Sequence, residues 1–228
     1  MTTKRTRKKR MIPVRHTKRK KRTRIAMTRR QLQQRRRKRM IWLMLIIMLL
    51  LAFIMFKSCQ RVVNLEKIDY PSYVSQQYID VDGTSRSGAD MRMVNDIVIH
   101  YVANPGSTAQ GNRDYFDSAQ SRVSAHFVVG LDGEVIQCIP LDEQSAASND
   151  RNGDTISIEV CHPDSTGKFS DVTYDRLIEL TAWLCSEFGL DEDDVIRHYD
   201  ITGKNCPKYF VENEEAWEQF RRDVKEAL

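Results

Sequence analysis

A histidine and a cysteine stand close together near the end of the chain, and both side chains bind metals. His198 and Cys206 are eight positions apart in the segment RHYDITGKNCP, with Lys204 between them. A Thr-Gly pair and a closing proline favour a loop that turns back on itself, so that both side chains could reach one ion. Nitrogen and sulfur ligands select Zn²⁺ over Mg²⁺ or Ca²⁺, which prefer oxygen. The segment therefore predicts a zinc site suited to hydrolysis.

The third ligand of such a site must come from elsewhere, because catalytic zinc usually has three protein ligands and one position for water. His100 is the leading candidate, since it closes the apolar run 97–99 of a predicted buried strand. His126 opens another predicted strand and is expected to be structural, with its ring bonded to backbone. His162 precedes a proline and is expected at a cleft edge or on the surface. Cys161 is a rival thiol ligand.

Two further residues could serve proton transfer and charge stabilisation. Glu159 lies in the middle of the apolar stretch 156–160, where a carboxyl group is costly to bury unless it has a chemical role. Two neutral histidines and one thiolate leave a zinc site with a single positive charge, so water activation benefits from a carboxylate base. Lys204 could stabilise the oxyanion of a tetrahedral intermediate. The alternative for Glu159 is a strand residue that faces outward, and the alternative for Lys204 is a loop cation exposed to solvent.

These side chains must be positioned by a domain over residues 91–228, which is long enough for a core of its own. Short apolar runs predict strands, an Asp-Gly pair predicts a hairpin turn, and amphipathic stretches predict helices. The strands are expected at 96–102, 126–130, 135–139, 155–160 and 195–196, and the helices at 112–119, between Ser170 and Gly189, and at 214–227. Because strands and helices are interleaved, the predicted fold class is α/β, a mixed central β-sheet flanked by helices.

The charge of the chain is strongly segregated. Residues 1–39 contain 20 Lys or Arg and no acidic residue, which leaves 16 basic and 31 acidic residues in the remainder. The stretch 40–56 has no charge, and a helix of its 17 residues would be about 25 Å long, near the short limit for a bilayer span. We therefore expect a basic tail over 1–39, one transmembrane helix over 40–56 and a polar linker over 57–90.

The distribution of basic residues also predicts orientation. The positive-inside tendency places the basic tail in the cytoplasm, so we expect a single-pass protein of the cell membrane with its catalytic domain extracellular. A cleaved signal peptide is disfavoured because no small-x-small site follows Phe56, and lipidation at Cys59 has a poor signal. The tail lacks aromatic interleaving, so anionic lipids of the cytoplasmic leaflet are expected partners and a specific nucleic acid is not. Five widely spaced cysteines are not a disulfide scaffold, and we expect a monomer.

Four motifs, in this order along the chain, resemble one known family. They are Ile97–His100 (IVIH), Ser124–Val128 (SAHFV), Asp154–Glu159 (DTISIE) and His198–Pro207 (HYDITGKNCP). Together they span about residues 91–228. The set is similar to the zinc-dependent N-acetylmuramoyl-L-alanine amidases, the group that includes phage lysozyme-type amidases and peptidoglycan recognition proteins.

The resemblance implies a mixed sheet flanked by helices and a zinc ion held by the residues matching His100, His198 and Cys206. It also implies a peptidoglycan substrate, cleaved at the amide between the muramoyl lactyl group and L-alanine. Glu159 matches the catalytic glutamate of the bacterial branch, and Lys204 matches the lysine that assists it.

The chain departs from the family pattern at two places. Some members carry a catalytic tyrosine where this chain has Ala125, and many have a Trp-His-Ala segment where it reads Ala-Ala-Ser-Asn over 146–149. Substrate contacts are expected at Ala125, at Asn104 after the first strand and at Asn149 before the glutamate strand. The alternative function is a non-catalytic, membrane-anchored receptor that binds peptidoglycan in the same groove. A nucleic-acid binder built on the basic tail is the third hypothesis.

Overall fold

The structure is a computed structural model that describes residues 29–59, 68–81, 84–91 and 93–228. Its strands are β1 (Val74–Gln76), β2 (Asp96–Tyr101), β3 (Phe127–Val129), β4 (Val135–Gln137), β5 (Thr155–Val160) and β6 (Val195–Arg197). Its helices are α1 (Arg29–Cys59), α2 (Ala109–Phe116), α3 (Asp171–Phe188), α4 (His198–Thr202), α5 (Lys208–Glu212) and α6 (Glu214–Ala227).

The six strands form one sheet in the order β1-β4-β3-β5-β2-β6. Only the hairpin β3–β4 is antiparallel, and the other four neighbouring pairs are parallel. The hairpin closes at Gly133, whose φ of 77° suits a residue without Cβ. The predicted fold class, a mixed sheet flanked by helices, is confirmed for the domain.

The two faces of the sheet are covered unequally. Alternating residues of β2 and β5, such as Ile97 and Ile158, are fully buried in the main core, which α3 and α6 complete. The opposite face carries a smaller apolar cluster that includes Val128 of β3 and Phe116 of α2. Alternation places His100 and Glu159 on this second face, because each neighbours a core residue along its strand. The candidate chemistry therefore lies on the more lightly covered face.

Helix α3 begins and ends at the residues that the sequence predicts. The Ser170 side chain accepts a hydrogen bond from the Thr173 backbone N–H, and Gly189 ends the helix in the left-handed conformation. Its buried stripe includes Leu177, Leu184 and Phe188, so one apolar face packs on the sheet. The prediction of a helix between Ser170 and Gly189 is confirmed.

His126 is part of the framework, as its position before a strand predicts. Its Nδ1 accepts a hydrogen bond from the Ser157 backbone N–H at 3.0 Å, so Nε2 carries the proton and donates to the Glu143 carbonyl at 2.9 Å. The ring is fully buried, and burial lowers the pKa of His126 to about 4. The folded protein therefore holds this imidazole neutral.

This neutral histidine predicts a loss of stability in acid. The unfolded chain binds a proton at His126 below pH 6.5, whereas the folded chain does so only near pH 4, so the contribution of His126 to the free energy of unfolding should fall between these values. The loss attributable to His126 is about 3 kcal/mol. Urea unfolding of the native chain and of His126→Gln, each at pH 7 and at pH 4.5, separates this loss from the contributions of other groups. His126→Gln should be less stable at pH 7 but show a smaller pH dependence, and an unchanged dependence would contradict the assignment.

Helix α1 does not match its predicted role. Within residues 29–59, 68–81, 84–91 and 93–228, no helix combines the length and apolar character needed to cross a bilayer. This finding overturns the predicted transmembrane helix over 40–56, and with it the predicted single-pass localisation at the cell membrane.

Other N-terminal predictions fall wholly or partly outside the described residues. Residues 1–28 of the basic tail and 60–67 and 82–83 of the predicted linker are among these, so the contact of the tail with anionic lipids stays a prediction. Within the linker stretch, β1 pairs with β4 at the edge of the sheet, and Ile79 is buried in the smaller apolar cluster. The packed part of the chain thus begins before residue 91.

Candidate active site

The register of three parallel strands brings the main candidates together. In the β2–β5 pair, His100 lies directly opposite Glu159. In the β2–β6 pair, Ile99 lies opposite Arg197, so the chain leaves β6 and reaches His198 beside His100. The two imidazole rings have centroids 4.6 Å apart. Residues far apart in sequence therefore meet at the carboxyl ends of adjacent strands, a common place for sites in such sheets.

Cys206 completes a cluster of three metal-binding side chains. Its Sγ lies 3.8 Å from Nδ1 of His100, and one ligand atom from each of His100, His198 and Cys206 can be chosen so that all lie within 4.8 Å of one another. All three residues are buried, and Nε2 of His100 has neither solvent exposure nor a hydrogen-bond partner. Two imidazoles and one thiol are a donor set for Zn²⁺. The three residues therefore fit a metal ion.

Protonation of the cluster is governed mainly by burial. Desolvation, together with the nearby His198 and Lys204, lowers the pKa of His100 well below its usual value. Desolvation and Lys204 also lower the pKa of His198. Both imidazoles are therefore neutral at pH 7, which is the form that binds metal. Burial raises the pKa of the Cys206 thiol to about 12, so a metal would have to displace its proton.

Glu159 is a partly buried residue, and one oxygen of its carboxyl group has no stabilising contact in the described structure. Its Oε2 atom has no solvent exposure and no hydrogen-bond partner. Burial alone raises the pKa of Glu159 to about 8. A carboxyl group with a pKa near neutrality can accept and release protons under working conditions. The sequence predicts that a carboxyl group at this strand position is costly to bury, and the raised pKa of Glu159 agrees with that cost.

A cleft of about 420 Å³ opens over these residues. Besides the three metal-ligand candidates, Glu159 lines it, as does the exposed Lys204. Asn149 lines it too, with a φ of 54° and its Oδ1 3.3 Å from Nε2 of His198. The remaining lining residues come from two loops: Arg122, Val123, Ser124, Ala146, Ala147 and Asn152.

Other predicted site residues lie elsewhere. Ala125 is fully buried in the smaller apolar cluster, whereas the adjacent Ser124 lines the cleft, so a contact between Ala125 and a substrate stays a prediction. Asn104 is exposed in the loop after β2 and is not among the residues that line the cleft. The surface position expected for His162 is wrong, because this side chain is buried and its ring centroid is 5.2 Å from that of Tyr101.

The rival ligand Cys161 is also placed away from the metal-ligand cluster. Its Sγ accepts a hydrogen bond from Nδ2 of Asn112, a residue of α2, and the side chain belongs to the smaller apolar cluster. Cys138, Cys161, Cys185 and Cys206 are free thiols.

Arg197 directly precedes His198, and its side-chain contacts fix the position of this segment. The residue is 7% exposed, and its guanidinium bonds to Asp200, to Glu214 at 2.7 Å and to the Phe210 carbonyl at 3.1 Å. These contacts tie β6 to the start of α4 and to the C-terminal helices. The segment predicted as an irregular loop therefore begins with a short helix that His198 opens.

Arg197→Met should lower the free energy of unfolding by about 2–3 kcal/mol, because it leaves two carboxylates and a buried carbonyl without their partner. Urea denaturation at pH 7 measures the change. Arg221→Met is the matched control, since the ion-pair partners of Arg221 are its exposed neighbours Asp193 and Glu218, and the expected loss is below about 1 kcal/mol. Equal losses for the two variants would show that Arg197 is an ordinary surface cation.

Fold and site together define a class of protein. Two histidines, a cysteine, a carboxyl group and a lysine in one cleft are an arrangement suited to hydrolysis. Comparison with known proteins refines this. Residues 90–209 match the family model described as N-acetylmuramoyl-L-alanine amidase. The chain belongs to the N-acetylmuramoyl-L-alanine amidase family.

Individual relatives agree with the family match. The N-acetylmuramoyl-L-alanine amidase BlyA of Bacillus subtilis (strain 168) is 36% identical over 175 residues, which cover 68% of this chain and 47% of BlyA. CwlL of Bacillus licheniformis, also an N-acetylmuramoyl-L-alanine amidase, is 31% identical over 172 residues, with 68% and 47% covered. The chain thus spans about half the length of these curated relatives. A mutant endolysin from Bacillus subtilis superposes with a TM-score of 0.59 at 27% identity, covering 66% of this chain and 97% of that one.

Proposed function

We propose that this protein hydrolyses the amide bond between the N-acetylmuramoyl lactyl group and L-alanine in peptidoglycan. The observation that carries the proposal is the convergence of His100, His198, Cys206, Glu159 and Lys204 on one cleft. The names of BlyA and CwlL support the same reaction. Each part of the convergence has a role that this reaction requires.

His100, His198 and Cys206 would hold a Zn²⁺ ion. When bound, that ion supplies Lewis acidity to the scissile carbonyl and to the attacking water. The support for zinc is the donor set itself, its burial and the neutral state of both imidazoles.

Glu159 would move the proton. Its carboxylate accepts a proton from the attacking water and returns it to the nitrogen of the leaving L-alanine. Burial raises the pKa of the Glu159 carboxyl group, which favours the return of the proton to the leaving nitrogen. Lys204 would stabilise the negative charge that develops on the carbonyl oxygen. Its charge lies close enough to lower the pKa of both His100 and His198, which supports this position.

Digestion of purified peptidoglycan tests the proposal. The full chain should release one new alanine amine for each stem peptide freed, and mass spectrometry should find intact muramoyl lactyl groups on the glycan. Metal analysis of the same preparation should find about one zinc ion per chain. Binding to peptidoglycan without any new amine would favour the receptor alternative.

A further inference from the structure

The walls of the cleft carry a positive charge that the reaction does not use. Arg122 lies in the loop before β3, is exposed and lines the cleft together with Lys204. Within residues 93–228, every other arginine has a hydrogen bond or an ion pair, to the side chain or backbone of another residue, whereas Arg122 has none. A guanidinium without a protein partner, at the wall of a cleft, is free to pair with a ligand.

Arg122 lies on a domain that carries more acidic than basic residues. Residues 40–228 contain 16 basic and 31 acidic residues, so the domain is acidic overall. The cleft reverses this balance, because Arg122 and Lys204 line it and Glu159 is the only acidic residue among the described residues that line it. Local cations on an acidic protein favour an anionic group at that place over the surrounding surface.

Asn152 adds a neutral donor to the same cleft. Its Oδ1 accepts hydrogen bonds from the backbone N–H groups of Ala147 and Ser148, at 3.1 and 2.7 Å. Because backbone N–H groups can only donate, the amide orientation is fixed and the Nδ2 hydrogens are left for another acceptor. A guanidinium and an amide donor are the groups that bind a carboxylate.

The stem peptide offers such a carboxylate close to the cleaved bond. The residue after L-alanine is a glutamate joined through its side chain, so its α-carboxyl is either free or amidated. A cleft of about 420 Å³ is large enough for the reacting amide and its nearest neighbours. We propose that Arg122 binds the free α-carboxylate of the second stem residue, so that the cleft prefers glutamate over isoglutamine at this position. This proposal rests on the proposed function.

Two muramoyl tripeptides that differ only in this carboxylate or amide test the inference. Affinities are measured by calorimetry with full-length Glu159→Gln, which should bind without cleaving, and cleavage rates with the otherwise native chain. The acidic ligand should bind about tenfold more tightly than the amide, a typical contribution of an exposed charged hydrogen bond. Adding Arg122→Gln should remove this preference by weakening the acidic ligand alone. The effect of Arg122→Gln on cleavage should appear mainly as a higher KM for the acidic ligand.

Arg222→Gln is the matched control, since Arg222 is an exposed arginine of α6 on the other side of the sheet. It changes the total charge equally and should keep the full preference. Equal affinities of the two ligands for the chain with Arg122 intact, or a preference that survives Arg122→Gln, would overturn the inference while peptidoglycan cleavage still supports the proposed function. Failure to release alanine amines from peptidoglycan would overturn both.

Discussion

Cys206→Ser is expected to abolish both metal binding and amide hydrolysis. A serine hydroxyl is not ionised at pH 7 and is a much poorer zinc ligand than a thiolate, so the cluster would lose one of three donors. We expect zinc affinity to fall by more than about a hundredfold, since changes to supporting residues alone cost 10–100-fold. Elemental analysis after dialysis and an alanine-release assay measure the two losses.

Cys185→Ser provides the matched control for this experiment. Cys185 is also buried, but it lies on α3 in the main core, on the opposite face of the sheet from the cluster. The same atom exchange there should lower stability slightly and leave the zinc content unchanged. If Cys206→Ser retained zinc like the control, the assignment of Cys206 as a ligand would be wrong.

Glu159→Gln is expected to keep its zinc and lose its activity. Glutamine preserves the shape of the side chain but cannot accept a proton, and removing a general base typically costs 10²–10⁴-fold in rate. The kcat for alanine release should therefore fall by about this factor. The three metal-ligand candidates are untouched, so metal content should remain at the value of the unmodified chain.

Stability provides a second measurement on Glu159→Gln. The carboxyl oxygen Oε2 is buried without a partner, and burial raises the pKa of this group to about 8, so ionising it in the fold costs free energy. The unfolded chain loses its proton near 4.5, so this cost grows as the pH rises from 4.5 towards 8. In the metal-free protein the variant should thus be at least as stable at pH 7, whereas reduced stability together with full activity would remove Glu159 from the proposed mechanism.

Sequence patterns predict most elements of the domain because local chemistry determines them. The cap at Ser170 and the left-handed Gly189 bound α3, strict alternation marks β5, and an Asp-Gly turn closes the hairpin. The residue types and spacing of His100, Glu159, His198 and Cys206 also identify a cluster that strand register then assembles. These features need no knowledge of distant contacts.

Features set by distant contacts are less well predicted. Helix α2 begins three residues earlier than expected, because Thr108 caps it and Gly111 lies inside its first turn. His162 is buried through its stacking on Tyr101, which no local pattern reveals. Arg122 could have been found only by knowing which loops face the site. For the apolar stretch 40–56, composition alone predicted a transmembrane helix, and the described helix does not support that prediction.

The unequal covering of the sheet has a consequence for how this family can diversify. Exposed residues of the cleft loops, such as Arg122, Val123 and Asn149, contribute little to the main core. Substitutions there can change the shape and charge of the cleft at small thermodynamic cost. Residues such as Leu177 and Phe220, on the other face, lie inside the packing that keeps the strands in register. Selection can therefore act on substrate choice and on folding almost independently in this domain.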